Sequence, residues 1–207
     1  MMDSRDDLQS QRYKLAASLI LEIGCKYVAD LASSGSALRE LLPSVKYVAC
    51  DYPEYDFEKP FHLPKQVDCA VALEIIEHVR NPRDFLHCVS SSLPRGGHLI
   101  LSTPNAAFIK YRLQLLFGKT PEFCMGPSSK EVFFGKKYYS LSAKRKRELY
   151  FQLHVRGYTY RDMRRILELE GFKVRRLTYF EDSFSGWLGR LLPADLQGPM
   201  FVVAEKA

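Results

Sequence analysis

Acidic and small side chains follow two short apolar runs in a pattern that suits a bound nucleoside. The first run, Lys26–Leu31, contains Asp30 and leads into a turn of small residues that ends at Ser36. Small side chains let a ligand approach the backbone, and the helix that follows offers unpaired N–H groups. The second run ends at Asp51, where a carboxylate can accept hydrogen bonds from both hydroxyls of a ribose. The pattern predicts a site for a ribose-bearing ligand.

Several classes of ligand and protein are disfavoured by what the 207-residue chain lacks. It has neither a GxGxxG fingerprint nor a GxxxxGK[ST] loop, so pyrophosphate and triphosphate binding are not expected. Its five cysteines form no CxxC pair and leave an odd one, which argues against a disulfide framework or a zinc knuckle, and no metal is expected. The acidic N-terminus is unlike a signal peptide, and no apolar run approaches about 18 residues. These features predict a cytoplasmic, single-domain protein without a transmembrane segment.

Alternating strands and helices must position these side chains. An N-terminal helix is expected over residues 8–24, and further helices end at residue 42 and span 81–93. Strands are expected at 26–31, 45–50, 67–73 and 98–103. Strands separated by helices in this way indicate an α/β fold with a doubly wound, mostly parallel sheet and helices on both faces.

The second half of the chain departs from this alternation. A helix is expected over 106–118, and residues 119–153 then show no clear periodicity, which is typical of a functional lid. A helix at 159–170, a strand at 172–180, a helix at 184–192 and a strand at 199–205 follow. We expect one domain over 1–207, divided into an N-terminal helix (1–25), a cofactor-binding half (26–105), a lid and acceptor-binding insertion (106–158) and a C-terminal part (159–207).

A set of ordered motifs resembles the class I S-adenosylmethionine-dependent methyltransferases. The motifs are Asp30-Leu-Ala-Ser-Ser-Gly-Ser36, Asp51, the strand and turn over 67–78 that end in Glu77-His78, Asn81-Pro82, Leu93-Pro-Arg-Gly-Gly97 and Leu99-Ile-Leu-Ser-Thr-Pro-Asn105. The resemblance covers residues 26–105, and residues 154–180 resemble the family's C-terminal segment. It implies a Rossmann-like methyltransferase fold whose sheet ends in an antiparallel strand pair.

The resemblance also implies a cofactor, S-adenosylmethionine, and residues that bind it. Asp51 would bind the ribose, and a strand edge at Tyr55–Glu58 would carry the residues of the adenine site. The first loop of the family usually has three glycines, whose places fall here on Ala32, Ser34 and Ser36, with Gly35 offset. The loop either retains the cofactor or has lost it. The expected cofactor-binding residues are Asp30, Ala32, Ser34, Ser36 (methionine end), Asp51, Asp56, Phe57 (adenine), Leu73 and Glu74.

Two histidines are the candidate catalytic residues. In the family the Glu77-His78 pair follows a strand near the cofactor, and an imidazole there can take a proton from the methyl acceptor. The alternative is that Glu77 and His78 only satisfy a helix start and loop backbone. His154 lies at the end of the lid-like segment, where its side chain would reach over the acceptor.

Charge is distributed unevenly and bears on the acceptor. Residues 1–105 carry a net charge of −3, whereas residues 106–207 carry +9. Within 136–165, ten basic residues interleave with aromatic ones, which is compatible with a solvated face, an anionic or lipid- or sugar-linked small acceptor, or RNA. The apolar stripe of the expected helix 184–192, which carries Trp187, either packs on the sheet or forms a hydrophobic rim that touches a membrane surface or a second subunit.

Together the residues and the resemblance predict an S-adenosylmethionine-dependent transferase that methylates an oxygen or nitrogen atom of an anionic or lipid- or sugar-linked small molecule. Two other functions stay open at this point. One is a scaffold protein that has the fold but no cofactor, and the other is an RNA methyltransferase, although no RNA-binding module is recognisable.

Overall fold

Short runs of buried aliphatic and small residues form the centre of a six-stranded sheet. The computed structural model describes residues 4–33, 37–121, 138–146, 153–179 and 193–207. The strands are β1 (Tyr27–Leu31), β2 (Lys46–Cys50), β3 (Cys69–Leu73), β4 (His98–Thr103), β5 (Phe172–Tyr179) and β6 (Met200–Lys206). The helices are α1 (Ser4–Ile23), α2 (Ala37–Glu40), α3 (Pro82–Ser92), α4 (Ile109–Leu116) and α5 (Tyr160–Leu169).

The strand order creates a crevice at the predicted ligand site. The order is β2-β1-β3-β4-β6-β5, with β1 to β4 parallel and with β6 antiparallel to both β4 and β5. Because the chain winds outward in opposite directions from β1, a crevice opens between the carboxyl ends of β1 and β3. The predicted α/β fold, with its antiparallel C-terminal strand pair, is confirmed.

Two hydrophobic clusters cover the two faces of the sheet. On one face α1 contributes Ala16, Leu19 and Ile20, which cluster with Val71 and Ile100 of the central strands. On the other face α3 and α5 pack against the same strands, and the buried residues there include Phe85, Leu86, Met163, Leu167, Ala70 and Leu101. The central parallel strands β1, β3 and β4 are therefore buried from both sides, which explains why their sequences are mostly apolar instead of alternating.

The predicted turn motifs cap two helices and form the tight turn before β4. Asn81 caps α3, because its side-chain oxygen accepts a hydrogen bond from the Asp84 N–H at 3.4 Å. Thr159 and Asp162 form a reciprocal capping box at the start of α5. Gly97 lies so close to the preceding turn that a β-carbon would come within 2.9 Å of the Pro94 carbonyl oxygen. These motifs fix where β4 and the two helices begin.

One predicted strand is wrong. Residues 55–58 form an irregular loop with a turn, and the next strand in the sequence after β2 is β3, which pairs with the opposite side of β1. The aromatic residues of this segment pack inward instead, and the ring of Phe57 meets those of Phe61 and Phe85 at centroid distances of 5.1 and 5.6 Å. The interval between Asp51 and Cys69 is too short for a further strand together with the crossover helix that a parallel connection needs. Packing of aromatic side chains therefore stabilises this segment in place of strand pairing.

Some predictions fall outside the described residues. They include the helix at 184–192 with Trp187, the loop residues Ser34 and Ser36, and much of the segment 119–153. No helix among the described residues is long and apolar enough to cross a membrane. The predicted domain limits and the cytoplasmic location stay predictions.

Candidate functional site

Asp30, near the end of β1, is a buried carboxyl at the crevice. It is 2% exposed, and the hydroxyl of Tyr47 on β2 donates a hydrogen bond to its Oδ2 at 2.5 Å. Burial raises the pKa of Asp30 to about 6, and the bond from Tyr47 acts in the opposite direction. Asp30 is therefore mostly ionised at neutral pH, and a cationic group placed beside it would be stabilised.

The first two residues after β1, Ala32 and Ser33, are held by hydrogen bonds, and Ala32 has a backbone conformation that favours glycine. Ala32 has φ = +57°, in the left-handed region that favours glycine, and its N–H donates to the Cys50 carbonyl at 3.0 Å. The hydroxyl of Ser33 donates to Asp51 Oδ2 at 2.6 Å. The structure thus brings Asp30, Ala32 and Asp51 together around the carboxyl ends of β1 and β2, and their binding of a cofactor stays a prediction.

Glu74 borders the same crevice from β3. It follows Leu73 with φ = +55°, and its N–H donates to the Ser102 carbonyl at 3.0 Å. The Ser102 hydroxyl donates to Glu74 Oε1 at 2.9 Å, and the guanidinium of Arg12 on α1 lies 3.5 Å from Oε2. The Glu74 carboxylate is therefore held between β4 and the N-terminal helix.

Asp56 and Phe57, predicted for the adenine, lie in the turns after β2. The carboxylate of Asp56 pairs with Lys59 Nζ at 2.9 Å, and the bond from Lys59 lowers the pKa of Asp56. Its Oδ1 also accepts from the Glu58 N–H at 3.2 Å. Both residues are half-buried, and their role toward an adenine stays a prediction.

Glu77 is a buried carboxyl whose partners come from β4. It is 1% exposed, and its Oε2 accepts a hydrogen bond from the Thr103 hydroxyl at 3.0 Å. Its Oε1 has no hydrogen-bond partner among the described residues. Burial, and secondarily the charge of Glu74, raise the pKa of Glu77 well above its ordinary value. A group that donates a hydrogen bond or carries positive charge would find an acceptor there.

His78 and His154 come together although 76 positions separate them in the sequence. Their rings are 4.8 Å apart between centroids and meet edge to face. His78 Nδ1 lies 2.9 Å from the Leu153 carbonyl oxygen. Since a carbonyl only accepts, Nδ1 carries the proton, and the lone pair of the neutral ring is at Nε2. Burial lowers the pKa of His78, which favours this neutral form.

The backbone around this pair holds the returning end of the insertion. The Glu77 carbonyl accepts from the N–H groups of Val155 and Arg156 at 2.7 and 3.2 Å. The hydroxyl of buried Tyr158 reaches the Ile76 carbonyl at 3.5 Å. Glu77 and His78 therefore hold loop backbone, one of the structural roles that the sequence allowed, although no helix begins there. These contacts do not use Nε2 of His78.

Sequence reasoning did not foresee that Glu77, His78 and His154 would form one donor group. One ligand atom from each lies within 4.8 Å of the others, and oxygen and imidazole nitrogen are donors that divalent metals accept. Ligands of a tetrahedral zinc ion lie only about 3.4 Å apart, because each is about 2.1 Å from the metal. These side chains would have to move closer to hold an ion. No sequence signal links His154 to the pair, since the contact depends on tertiary structure.

Comparisons with known proteins agree with the fold. The methyltransferase domain family matches residues 8–177, so the chain belongs to that family. The ubiquinone biosynthesis O-methyltransferase of Dictyostelium discoideum is 30% identical over 97 residues, which are 46% of this chain and 30% of that protein. This chain thus spans less than a third of that relative's length.

Solved structures share the fold at low identity. An S-adenosylmethionine-dependent methyltransferase from Mesorhizobium loti is 18% identical with a TM-score of 0.58, covering 92% of this chain and 96% of that one. The magnesium protoporphyrin IX methyltransferase of Synechocystis PCC 6803, solved with bound S-adenosylmethionine, is 12% identical with a TM-score of 0.57, covering 100% and 85%. The predicted methyltransferase family is confirmed, and the predicted cofactor, S-adenosylmethionine, is the one bound in the Synechocystis structure.

Proposed function

We propose that this enzyme transfers the methyl group of S-adenosylmethionine to a hydroxyl oxygen of a small, anionic or lipid-linked acceptor. The observation that carries the proposal is the loop after β1. Ala32 adopts the left-handed conformation that the family achieves with glycine, and Ser33 joins this loop to Asp51. A left-handed conformation costs a non-glycine residue about 1 kcal/mol or more. We interpret its presence at Ala32 as a sign that ligand binding still requires this backbone conformation.

The residues of the crevice fit the cofactor chemically. Asp51 would accept the ribose hydroxyls, and ionised Asp30 would attract the ammonium group at the methionine end, beside Ala32, Ser34 and Ser36. Asp56 and Phe57 would face the adenine, and Leu73 and Glu74 would border the cofactor from β3. When bound, the sulfonium supplies an electrophilic methyl carbon with a good leaving group.

His78 would act on the acceptor side of that methyl group. Its Nδ1–H is committed to the Leu153 carbonyl, so Nε2 is the atom that would accept the acceptor's hydroxyl proton as the oxygen attacks the methyl carbon in line. His154, packed edge to face on His78, would close over the acceptor. Displacement from a sulfonium also gains from positioning and exclusion of water, which a closed insertion would supply.

The charge of the insertion supports an anionic acceptor. Its described parts, residues 106–121, 138–146 and 153–158, contain seven basic residues and no acidic one. The relative from Dictyostelium discoideum carries the name O-methyltransferase, which favours oxygen over nitrogen as the methylated atom. Oxygen also suits a histidine base, because a neutral hydroxyl must lose a proton during the reaction.

Binding of S-adenosylhomocysteine tests the cofactor site. The purified chain should melt at a higher temperature with this ligand, because a ligand that binds only the folded state stabilises it. Asp51→Ala should remove most of that rise, whereas Glu54→Ala, an exposed carboxylate in the same loop, should leave it unchanged. Absence of a rise for the intact chain at millimolar ligand would refute cofactor binding and favour the scaffold function.

The acceptor class is tested by following a labelled methyl group. The enzyme and labelled S-adenosylmethionine are incubated with a cell extract, which is then separated into organic-soluble, small aqueous and nucleic-acid fractions. Label in the organic or small anionic fraction, absent with His78→Asn, is the expected result. Label in RNA would contradict the proposed acceptor and support an RNA methyltransferase.

A further inference from the structure

The end of α4 exposes an unusual run of large apolar side chains. Leu115, Leu116 and Phe117 are 60%, 76% and 73% exposed, and Leu113 is partly exposed beside them. Single exposed leucines are normal on protein surfaces, but four large apolar residues within five positions form a patch of the kind that marks an interaction site.

The start of the same helix is anchored in the protein. Phe108, immediately before α4, is buried, and its ring packs edge to face on that of Tyr111 at 5.3 Å. The Arg112 guanidinium donates from Nε to the Ala107 carbonyl at 2.9 Å. The helix is thus held at its first turn, and its apolar end is presented to solvent with no buried residue along its length.

Positive charge predominates in the described parts of the insertion. Residues 106–121 contain three basic residues and no acid, residues 138–146 likewise contain three and none, and residues 153–158 contain one and none. Lys119, Lys144 and Arg145 are exposed, as is the ring of Tyr139. The first two parts therefore combine exposed cations with exposed apolar or aromatic side chains.

We infer that this part of the insertion docks the enzyme on an anionic lipid membrane. Leucine and phenylalanine side chains at the end of α4 would enter the interface, while the lysines and arginines would contact negatively charged headgroups. A second copy of the chain fits less well, because two surfaces with the same excess of positive charge would repel each other. Nucleic acid would use the cations but would leave the aliphatic side chains in water.

Vesicle co-sedimentation with the full chain tests the surface without any methyl transfer. Vesicles of phosphatidylcholine mixed with phosphatidylglycerol should bind the protein, and vesicles of phosphatidylcholine alone should bind it about tenfold or more weakly. Raising the salt concentration from about 0.1 M to about 0.5 M should weaken binding, because it screens the headgroup charge. Equal binding to both vesicle types would overturn the inference.

Two matched pairs of variants locate the binding. Leu116→Ser with Phe117→Ser should weaken vesicle binding about tenfold, whereas Leu169→Ser, a leucine on α5 that is 60% exposed, should not. Lys119→Gln, Lys144→Gln and Arg145→Gln together should weaken it more than Lys26→Gln, Lys65→Gln and Arg95→Gln, which remove three exposed charges outside the insertion. Unchanged melting temperatures verify folding, since all of these positions are exposed.

Three outcomes would contradict the inference. One is vesicle binding by the Leu116→Ser, Phe117→Ser variant at the wild-type level. Another is tight binding to DNA or RNA fragments together with none to anionic vesicles. The third is a dimer in solution that dissociates into monomers when the same two substitutions are made. Since cofactor binding is measured separately by melting, failure here would leave the proposed methyl transfer standing.

Discussion

His78 donates a hydrogen bond from Nδ1 to the carbonyl oxygen of Leu153 at 2.9 Å, across 75 positions of sequence. This bond does two things at once. It fixes the tautomer of the imidazole, and it holds the end of the insertion against the carboxyl end of β3. A substitution at His78 therefore has both structural and catalytic consequences, and a useful experiment must separate them.

Replacement of His78 by asparagine separates the two roles. The asparagine amide N–H lies near the position of Nδ1 and can donate to Leu153, but the side chain has no counterpart to Nε2. We expect His78→Asn to melt near the wild-type temperature and to bind S-adenosylhomocysteine. Its kcat should fall by about two to four orders of magnitude, the usual contribution of a general base. His78→Ala, the comparison variant, should lose stability as well. Full activity of the asparagine variant would show that His78 is only structural.

The raised pKa of the buried Asp30 carboxyl should make the stability of the protein depend on pH. Its pKa is raised from 3.8 to about 6, so the folded state holds this proton more tightly than the unfolded state does. The resulting penalty is fully present above pH 6, decreases as pH falls through 6, and is absent below about 3.8. A shift of this size corresponds to at most about 3 kcal/mol at neutral pH.

Urea unfolding of Asp30→Asn and of the wild type measures this penalty. Asparagine can still accept the bond from Tyr47 and carries no charge to desolvate. The variant should be more stable than the wild type at pH 8, by up to about 3 kcal/mol, and the difference should shrink toward pH 4. Tyr47→Phe should raise the pKa of Asp30 further, because the hydroxyl that favours the ionised form is gone. A difference between Asp30→Asn and the wild type that is constant with pH would contradict this account.

The sequence predicted correctly the strands and turns that depend on interactions between neighbouring residues. The apolar runs placed β1 to β4 within a residue or two, and Asn81-Pro82 and Pro94–Gly97 marked turns that the structure contains, because each depends on nearest neighbours. The strand at Tyr55–Glu58 failed for the opposite reason. A strand exists only where a partner edge is available, and that segment gains more from packing Phe57 on Phe61 and Phe85. The convergence of Glu77, His78 and His154 is also a tertiary result that no spacing in the sequence encodes.

Gly97 tests the turn that sets β4 in register. A β-carbon at this position would lie 2.9 Å from the Pro94 carbonyl oxygen and 3.2 Å from that of Asp68, and both are backbone atoms that cannot turn aside. Gly97→Ala should therefore lower the free energy of unfolding by about 1–3 kcal/mol in urea titrations. Gly96→Ala, where nothing lies within 4 Å, isolates the cost of a positive φ alone. Equal stability of Gly97→Ala and the wild type would show that the turn relaxes freely.

Ala32 has a left-handed backbone conformation although it is not glycine, and this conformation should reduce the stability of the protein. Its φ of +57° brings its β-carbon close to its own carbonyl oxygen, and glycine has no such atom. Ala32→Gly removes this strain but adds freedom to the unfolded chain, so the net gain in the free energy of unfolding should be about 0.5–1 kcal/mol. Ala17→Gly, within α1, should lose about 1 kcal/mol instead. Ala32→Val should be destabilised, because a β-branched residue resists positive φ. Urea titrations of the three variants measure these signs, and S-adenosylhomocysteine affinity should be preserved in Ala32→Gly and reduced in Ala32→Val. Loss of stability in Ala32→Gly would mean that the alanine side chain contributes more by packing than its conformation costs.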